Sequence, residues 1–197
     1  EEKMIVLGKN LFQELDVAKK SYSMEVCDAL QYLENIEEKS FDTVLCLGML
    51  YYTTEPYRLL KLMLRAAKET VILDTFTASY AAIQGKDAPQ VYKNINDDTL
   101  KLPILLTALT QSEKKDYTLP HSFDYKSKNL GIITLPSEEL LEIWFQSLGA
   151  DYKKLDWSDY ETRPCTYHDL LTPEQKKSSH WADVYTSGVR VSYLLHK

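Results

Sequence analysis

Apolar residues recur along this chain in two rhythms, short unbroken runs and helical stripes, and their order predicts an α/β protein. Met4-Ile5-Val6-Leu7 ends at Gly8 and reads as a strand, and Leu11, Leu15 and Ala18 continue at helical spacing through Lys20. Met24 to Asp28 reads as a brief second strand, followed by a short amphipathic helix from Ala29 to Ile36 with Leu30 and Leu33 inward. Thr43 to Gly48 and Thr70 to Asp74 are apolar throughout, as strands buried on both faces are in parallel sheets. The helix Glu55 to Lys68 between them starts at Pro56, where a missing N–H costs nothing, and turns Leu59, Leu60, Met63, Leu64 and Ala67 inward. Alternating strands and helices imply βαβ crossovers and a layered α/β domain.

From Thr75 to Thr134 the rhythm stops. Only a helix around Leu102 to Leu109 stands out among polar, tyrosine-bearing stretches, and an excursion of this length predicts a lid or binding element. The alternation resumes at Pro136, with Ser137 as N-cap of a helix carrying Leu140, Leu141, Trp144 and Phe145 to a stop at Gly149. A strand from Asp151 to Trp157 follows, then a polar stretch with a short helix from Pro173, and a closing half-buried strand, Val189 to Lys197.

Composition narrows the classes. At 197 residues, 44% hydrophobic and 26% charged, the chain has the balance of a soluble globular domain, which excludes disorder and collagen. No apolar run approaches the roughly 20 residues of a membrane span, and no secretory pattern opens the chain, so the expected compartment is cytoplasmic. Cys27, Cys46 and Cys165 are widely spaced and read as reduced, apolar fillers. A net charge of -6 favours a small-molecule acceptor over nucleic acid, although a local basic patch on an acidic protein is compatible with RNA. The six glycines are scattered, so no G-x-G-x-x-G or phosphate-binding loop is present. His121, His168, His180 and His196 lack metal-ligand spacing.

The strand Phe41 to Leu47, continued by Gly48-Met49-Leu50-Tyr51-Tyr52, with Pro56 and a leucine-rich helix after it, resembles the fourth-strand motif of class I S-adenosylmethionine-dependent methyltransferases. Val6 to Asn10 resembles their second strand and Val26 to Ala29 their third. Within that superfamily, L-G-x-L-Y followed by an aromatic is most similar to the tRNA wobble-uridine carboxymethyltransferases. Pro136, Ser137 and Trp144 match a helix of that branch, Arg190 matches its last strand, and Thr172, Glu174, Gln175, Lys176, Lys177 and Trp181 approximate a further stretch.

The resemblance covers residues 4 to 74 and 132 to 197. It implies one domain over 1–197 with an insertion at 75–134, and a Rossmann-like sheet of order 3-2-1-4-5-7-6 with helices on both faces. The glycine-rich turn after the first strand is missing, so the chain is expected to begin at the second strand of a longer protein. The implied cofactor is S-adenosylmethionine, or carboxy-S-adenosylmethionine. It would be held by Asn10 at the ribose, Asp28 and Ala29 at the adenine, and Leu47, Gly48, Tyr51 and Arg190, with the tyrosine and arginine at an added carboxylate. Tyr52 would meet the acceptor. Asn10 stands where an acid is usual and Tyr52 where His is usual.

The residues admit plainer roles as well. Asp28 also suits an N-cap, Asn10 a turn or cap, and Arg190 a structural ion pair. Asp74 either caps or faces the pocket. Tyr80, Tyr92, Tyr117 and Tyr125 in the insertion either pack loops or stack on a flat substrate. A tRNA acceptor predicts a basic surface drawn from Lys114, Lys115, Lys126, Lys128, Lys153, Lys154, Lys176 and Lys177, whereas a small molecule predicts an insertion closing over Tyr51. A homo-oligomer is compatible with either. The alternative to alkyl transfer is a methyltransferase-like module that binds or scaffolds without chemistry.

Overall fold

A computed structural model describes residues 2–83, 97–112, 123–125, 128–157, 185 and 188–197. The chain forms two compact units, 1–36 and 37–197. In the first, helix α1 (Glu2–Glu14) and a single 3-10 turn (Lys19–Ser21) lead to helix α2 (Ala29–Asn35). The half-buried side of α1 carries Ile5, Gly8 and Phe12; the Phe12 ring meets Tyr22 edge-on at 4.7 Å, and Gly8 lies against Met24.

The strands expected at Met4–Gly8 and Met24–Asp28 are not formed: the first lies inside α1 and the second is irregular. A four-residue apolar run suits helix and strand equally, and here Leu11 and Leu15 extend it at helical spacing. A helix satisfies its own N–H and C=O groups, whereas a strand needs a neighbour's ladder, and neither segment takes part in a sheet of the described residues.

The second unit carries two sheets. Strand β1 (Phe41–Leu47), helix α3 (Pro56–Ala66) and strand β2 (Ala67–Phe76) are followed by helices α4 (Ala78–Ile83) and α5 (Asp97–Leu100). Strands β3 (Leu105–Ser112), β4 (Phe123–Tyr125) and β5 (Lys128–Pro136) come next, then helix α6 (Glu138–Ser147), strand β6 (Asp151–Lys154) and strand β7 (Arg190–His196). The main sheet has the order β1-β2-β7-β6, with β1 and β2 parallel and β7 antiparallel to both its neighbours. The protein is therefore mixed α/β. Of the expected order, the described residues form a four-stranded sheet with β1 at its edge, and no strand precedes β1.

Register explains the core. Cys46, Leu73 and Tyr193 lie side by side, and with Val71, Val191 and Leu195 they make one fully buried face. Leu59, Leu60, Met63 and Leu64 of α3 and Leu141 and Phe145 of α6 complete this core, with the Phe145 ring tilted against Tyr152 and edge-on to Tyr193. The opposite face carries Leu47, Asp74 and Ser192 in register, with Phe76 beside Arg190 at its end.

The insertion is not helical where expected. Leu105–Ser112 is a strand pairing antiparallel with Asn129–Pro136, so the helix around Leu102 to Leu109 is replaced by an edge strand of a three-stranded sheet of order β3-β5-β4. Leu105, Leu106 and Leu109 fit either period; the decision comes from a partner more than twenty residues away, which local spacing does not reveal. Strand β6 also stops at Lys154 rather than Trp157. Ser137 caps α6 as expected and also fastens the insertion: it accepts from Ile104 N–H at 3.1 Å and donates to the Leu102 carbonyl at 2.7 Å.

Candidate functional site

The parallel strands β1 and β2 end together, and β7 begins beside them. Open α/β sheets bind ligands at this edge because the strand ends splay and loops supply side chains there. Gly48 follows β1 at φ +70°, a conformation glycine adopts without penalty, and its N–H donates to the Asp74 carbonyl at 2.8 Å. A Cβ at position 48 would stand 3.2 Å from Arg190 Nη2 and 3.4 Å from the Tyr51 hydroxyl. Glycine thus leaves bare the floor beneath a guanidinium and a phenol. Tyr51 and Arg190, to which the resemblance gave a common role, converge here.

Asp74 is the residue whose role the sequence left open. It is 6% exposed, and its two carboxylate oxygens accept three side-chain hydrogen bonds and form an ion pair. Oδ1 accepts from Arg190 Nε at 2.5 Å and is ion-paired with Arg190 Nη2; Oδ2 accepts from Ser192 Oγ at 2.5 Å and from the Tyr185 hydroxyl at 3.1 Å. Ser192 in turn accepts from Trp157 Nε1 at 3.2 Å, and the Trp157 and Tyr185 rings pack at 5.1 Å. Burial works against the charge on Arg190, but the hydrogen bond and negative charge of Asp74 outweigh it and hold the guanidinium above its ordinary pKa. Burial, followed by the charge of Asp74, raises the Tyr185 phenol as well, so it is protonated and donates at neutral pH.

Two surfaces flank this centre. On the β6 side, Lys154, Leu155, Trp157, Tyr185, Arg190 and Ser192 help line a cavity of about 250 Å³. On the β1 side the aromatic rings run in sequence: Tyr51 lies 4.3 Å from Tyr52 and 5.0 Å from Phe76, and Phe76 lies 4.5 Å from Tyr80. Arg190 sits 5.0 Å over the Phe76 ring, a cation–π contact. Leu106 and Ile133 of the insertion, and Leu135 just after it, pack on this cluster, and the Thr134 hydroxyl donates to the Thr53 carbonyl at 2.8 Å. The insertion therefore covers Tyr51.

The other expected positions are placed as follows. The Leu47 side chain is 59% exposed on the open sheet face. Asn10, Asp28 and Ala29 belong to the first unit: Asn10 is inside α1, and Asp28 is the N-cap of α2, accepting from Gln31 N–H at 2.9 Å just before Ala29 opens the helix. Tyr92, Tyr117, the histidines other than His196, Cys165, and the stretch from Thr172 through Lys176, Lys177 and Trp181 lie outside the described residues, as do Lys114, Lys115 and Lys126. Lys154 pairs with Glu138 at 2.5 Å. No cluster of metal-ligating side chains occurs among the described residues, and none of their helices is long and apolar enough to cross a membrane.

Ser192, Tyr185 and Trp157 escaped sequence reasoning. The available signal was polar: Ser192 and Arg190 fall on the same side of an otherwise apolar strand, facing Asp74 across the ladder.

No family model matches the sequence, and no curated protein matches it. Among solved structures, 96% of the chain aligns with the crystal structure of the [4+2]-cyclase SpnF at 14% identity and a TM-score of 0.40, and the chain spans 60% of that protein's length.

Proposed function

We propose that the protein binds S-adenosylmethionine or its carboxylated relative at the carboxyl edge of β1 and β2, and transfers the alkyl group to a small-molecule acceptor. The observation that carries this reading is the convergence of Gly48, Tyr51 and Arg190 at that edge. The sheet order supports it: β1-β2-β7-β6 with an antiparallel β7 is the 4-5-7-6 half of the arrangement that the fourth-strand motif implies. The residues present fit the amino-acid end of such a cofactor. A bare glycine backbone allows close approach, and a guanidinium edge and a phenol hydroxyl offer donors to a carboxylate.

When bound, the sulfonium supplies an already activated alkyl group. The protein's own task is then alignment and exclusion of water. Gly48 leaves space at the floor, Tyr51 and Arg190 orient, and Tyr52, Phe76 and Tyr80 under Leu106 and Ile133 offer aromatic and apolar surface. That surface supports a compact apolar or aromatic acceptor, since single-stranded RNA recognition draws on a basic groove as well as stacking faces.

Calorimetric titration of the protein with S-adenosylmethionine and S-adenosylhomocysteine tests the reading, with Arg190→Ala as the paired variant. Micromolar binding that Arg190→Ala weakens is the expected result. A folded protein that binds neither ligand nor carboxy-S-adenosylmethionine is a non-catalytic module, and the proposal fails.

A further inference from the structure

We infer that the cavity on the β6 side of Arg190 is a binding site for an uncharged, single-ring aromatic compound bearing a hydrogen-bond acceptor such as a ketone carbonyl. The inference is independent of the proposed function, because Gly48 and Tyr51 take no part in lining this cavity and no cofactor is needed to test it.

Size and shape come first. The cavity measures about 250 Å³. A cavity of about 150 Å³ holds a benzene molecule, so this one takes a six-membered ring with a few substituent atoms. Trp157 and Tyr185 line it half-buried, their ring centroids 5.1 Å apart and their planes 34° from parallel. Each ring is tethered by its polar end, Trp157 by the bond from Nε1 to Ser192 and Tyr185 by the bond from its hydroxyl to Asp74. Rings fixed in this way lose little further freedom on binding, and a flat aromatic guest packs on them in offset or edge contacts.

The hydrogen-bond inventory sets the polarity of the guest. The Trp157 indole hydrogen goes to Ser192, and the Ser192 and Tyr185 hydroxyl hydrogens both go to Asp74. The donors that remain on the walls are cationic. Arg190 gives Nε and Nη2 to Asp74, and its Nη1 has no partner among the described residues; the Lys154 ammonium has donors beyond the one that Glu138 accepts. The guest therefore needs an acceptor. Both cations already have a carboxylate, and Asp156 also lines the cavity. An anion would stand near Asp74 and Asp156, and a cation near Arg190 and Lys154, whereas an uncharged carbonyl meets neither repulsion.

Acetophenone is the probe, and the Trp157 indole reports where it binds. In a nitrogen–proton correlation spectrum of the full chain, the indole signal that disappears in Trp157→Phe belongs to Trp157. Acetophenone should move this signal saturably, with the sub-millimolar to millimolar dissociation constant of so small a ligand. Ligand relaxation titrations should find its analogues at least about fivefold weaker: cyclohexyl methyl ketone, which lacks the flat face, ethylbenzene, which lacks the acceptor, and benzoate, which carries a charge. Trp157→Leu should weaken acetophenone by about tenfold, while Tyr185→Phe, which keeps its ring, should stay within about threefold of the wild type. Where Trp157→Leu does not fold, Leu155→Phe, which narrows the cavity and leaves both rings, should show the same loss. A Trp157 signal that acetophenone leaves unmoved, a saturated ketone that binds as tightly as the aromatic one, or tighter binding of benzoate overturns the inference. The proposed function then still stands, since it is tested with a different ligand at Gly48, Tyr51 and Arg190.

Discussion

The guanidinium of Arg190 passes over Gly48 so closely that a Cβ there would meet Nη2 at 3.2 Å. The glycine is required twice, by that approach and by its φ of +70°. In Gly48→Ala the left-handed backbone alone costs about 1–2 kcal/mol, and the guanidinium or the Tyr51 phenol must also give way. Urea unfolding should show a loss of this size with an unchanged slope. Titration with S-adenosylhomocysteine should show a larger loss than the stability change explains, because the new methyl fills the floor of the site.

Asp74 and Arg190 should be strongly coupled. Truncating either partner leaves a charge in a half-closed site, and such breaks cost on the order of 3 kcal/mol, whereas removing both costs much less than the sum. A double-mutant cycle with Asp74→Ala and Arg190→Ala, followed by chemical denaturation, measures this directly. Strict additivity of the two single changes would show that the pair contributes nothing beyond its separate contacts.

What was legible in the sequence is what burial writes locally. Leu45 to Leu47, Val71 to Asp74 and Val191 to Leu195 were recognisable as strands because they are apolar or regularly alternating, and Pro56 and Ser137 announced their helices. Two segments resisted for the same reason. Met4 to Leu7 and Leu105 to Leu109 are short apolar runs whose state is decided outside the run, by Leu11 and Leu15 in one case and by the antiparallel strand ending at Pro136 in the other. The site was partly visible: Tyr51 and Arg190 were paired on resemblance and meet in space. Asp74 was ambiguous because a carboxylate at a strand end serves as cap or as ligand, and only the ladder opposite Ser192 and Arg190 distinguishes the two.

Ser137 and Asp28 are both N-caps, yet they should differ in consequence. Asp28 is exposed and makes one bond to Gln31, so Asp28→Ala should cost about 1 kcal/mol. Ser137 is 1% exposed and makes three hydrogen bonds, capping α6 through Leu140 N–H and tying it to the stretch before β3 by accepting from Ile104 and donating to Leu102. Ser137→Ala removes the cap, worth about 1 kcal/mol, together with both links to the stretch before β3, where the Ile104 N–H and the Leu102 carbonyl keep only their own bond at 2.9 Å. Thermal and urea unfolding of the two variants should therefore rank Ser137→Ala as clearly more destabilising, with faster amide exchange where β3 meets β5.

Cys46 gives the chain a defined response to alkaline pH. The thiol is 1% exposed, and burial pushes its pKa up from the ordinary 9.0 to about 11, partly opposed by hydrogen bonds from the backbone of Leu50 and Met49. The folded state therefore holds its proton where the unfolded chain has released it. Sign follows from linkage: the contribution is complete below pH 9, falls as pH rises from 9 toward 11, and is gone above that. The loss is on the order of 2–3 kcal/mol. Urea midpoints measured between pH 8 and 11 should decline in the wild type, and the decline should be shallower in Cys46→Ala. Exposure makes the same distinction chemically. The exposed Cys27 should take iodoacetamide in the native protein, while the peptide bearing Cys46 stays unmodified until denaturant opens the core, an order that peptide mapping by mass spectrometry reads directly.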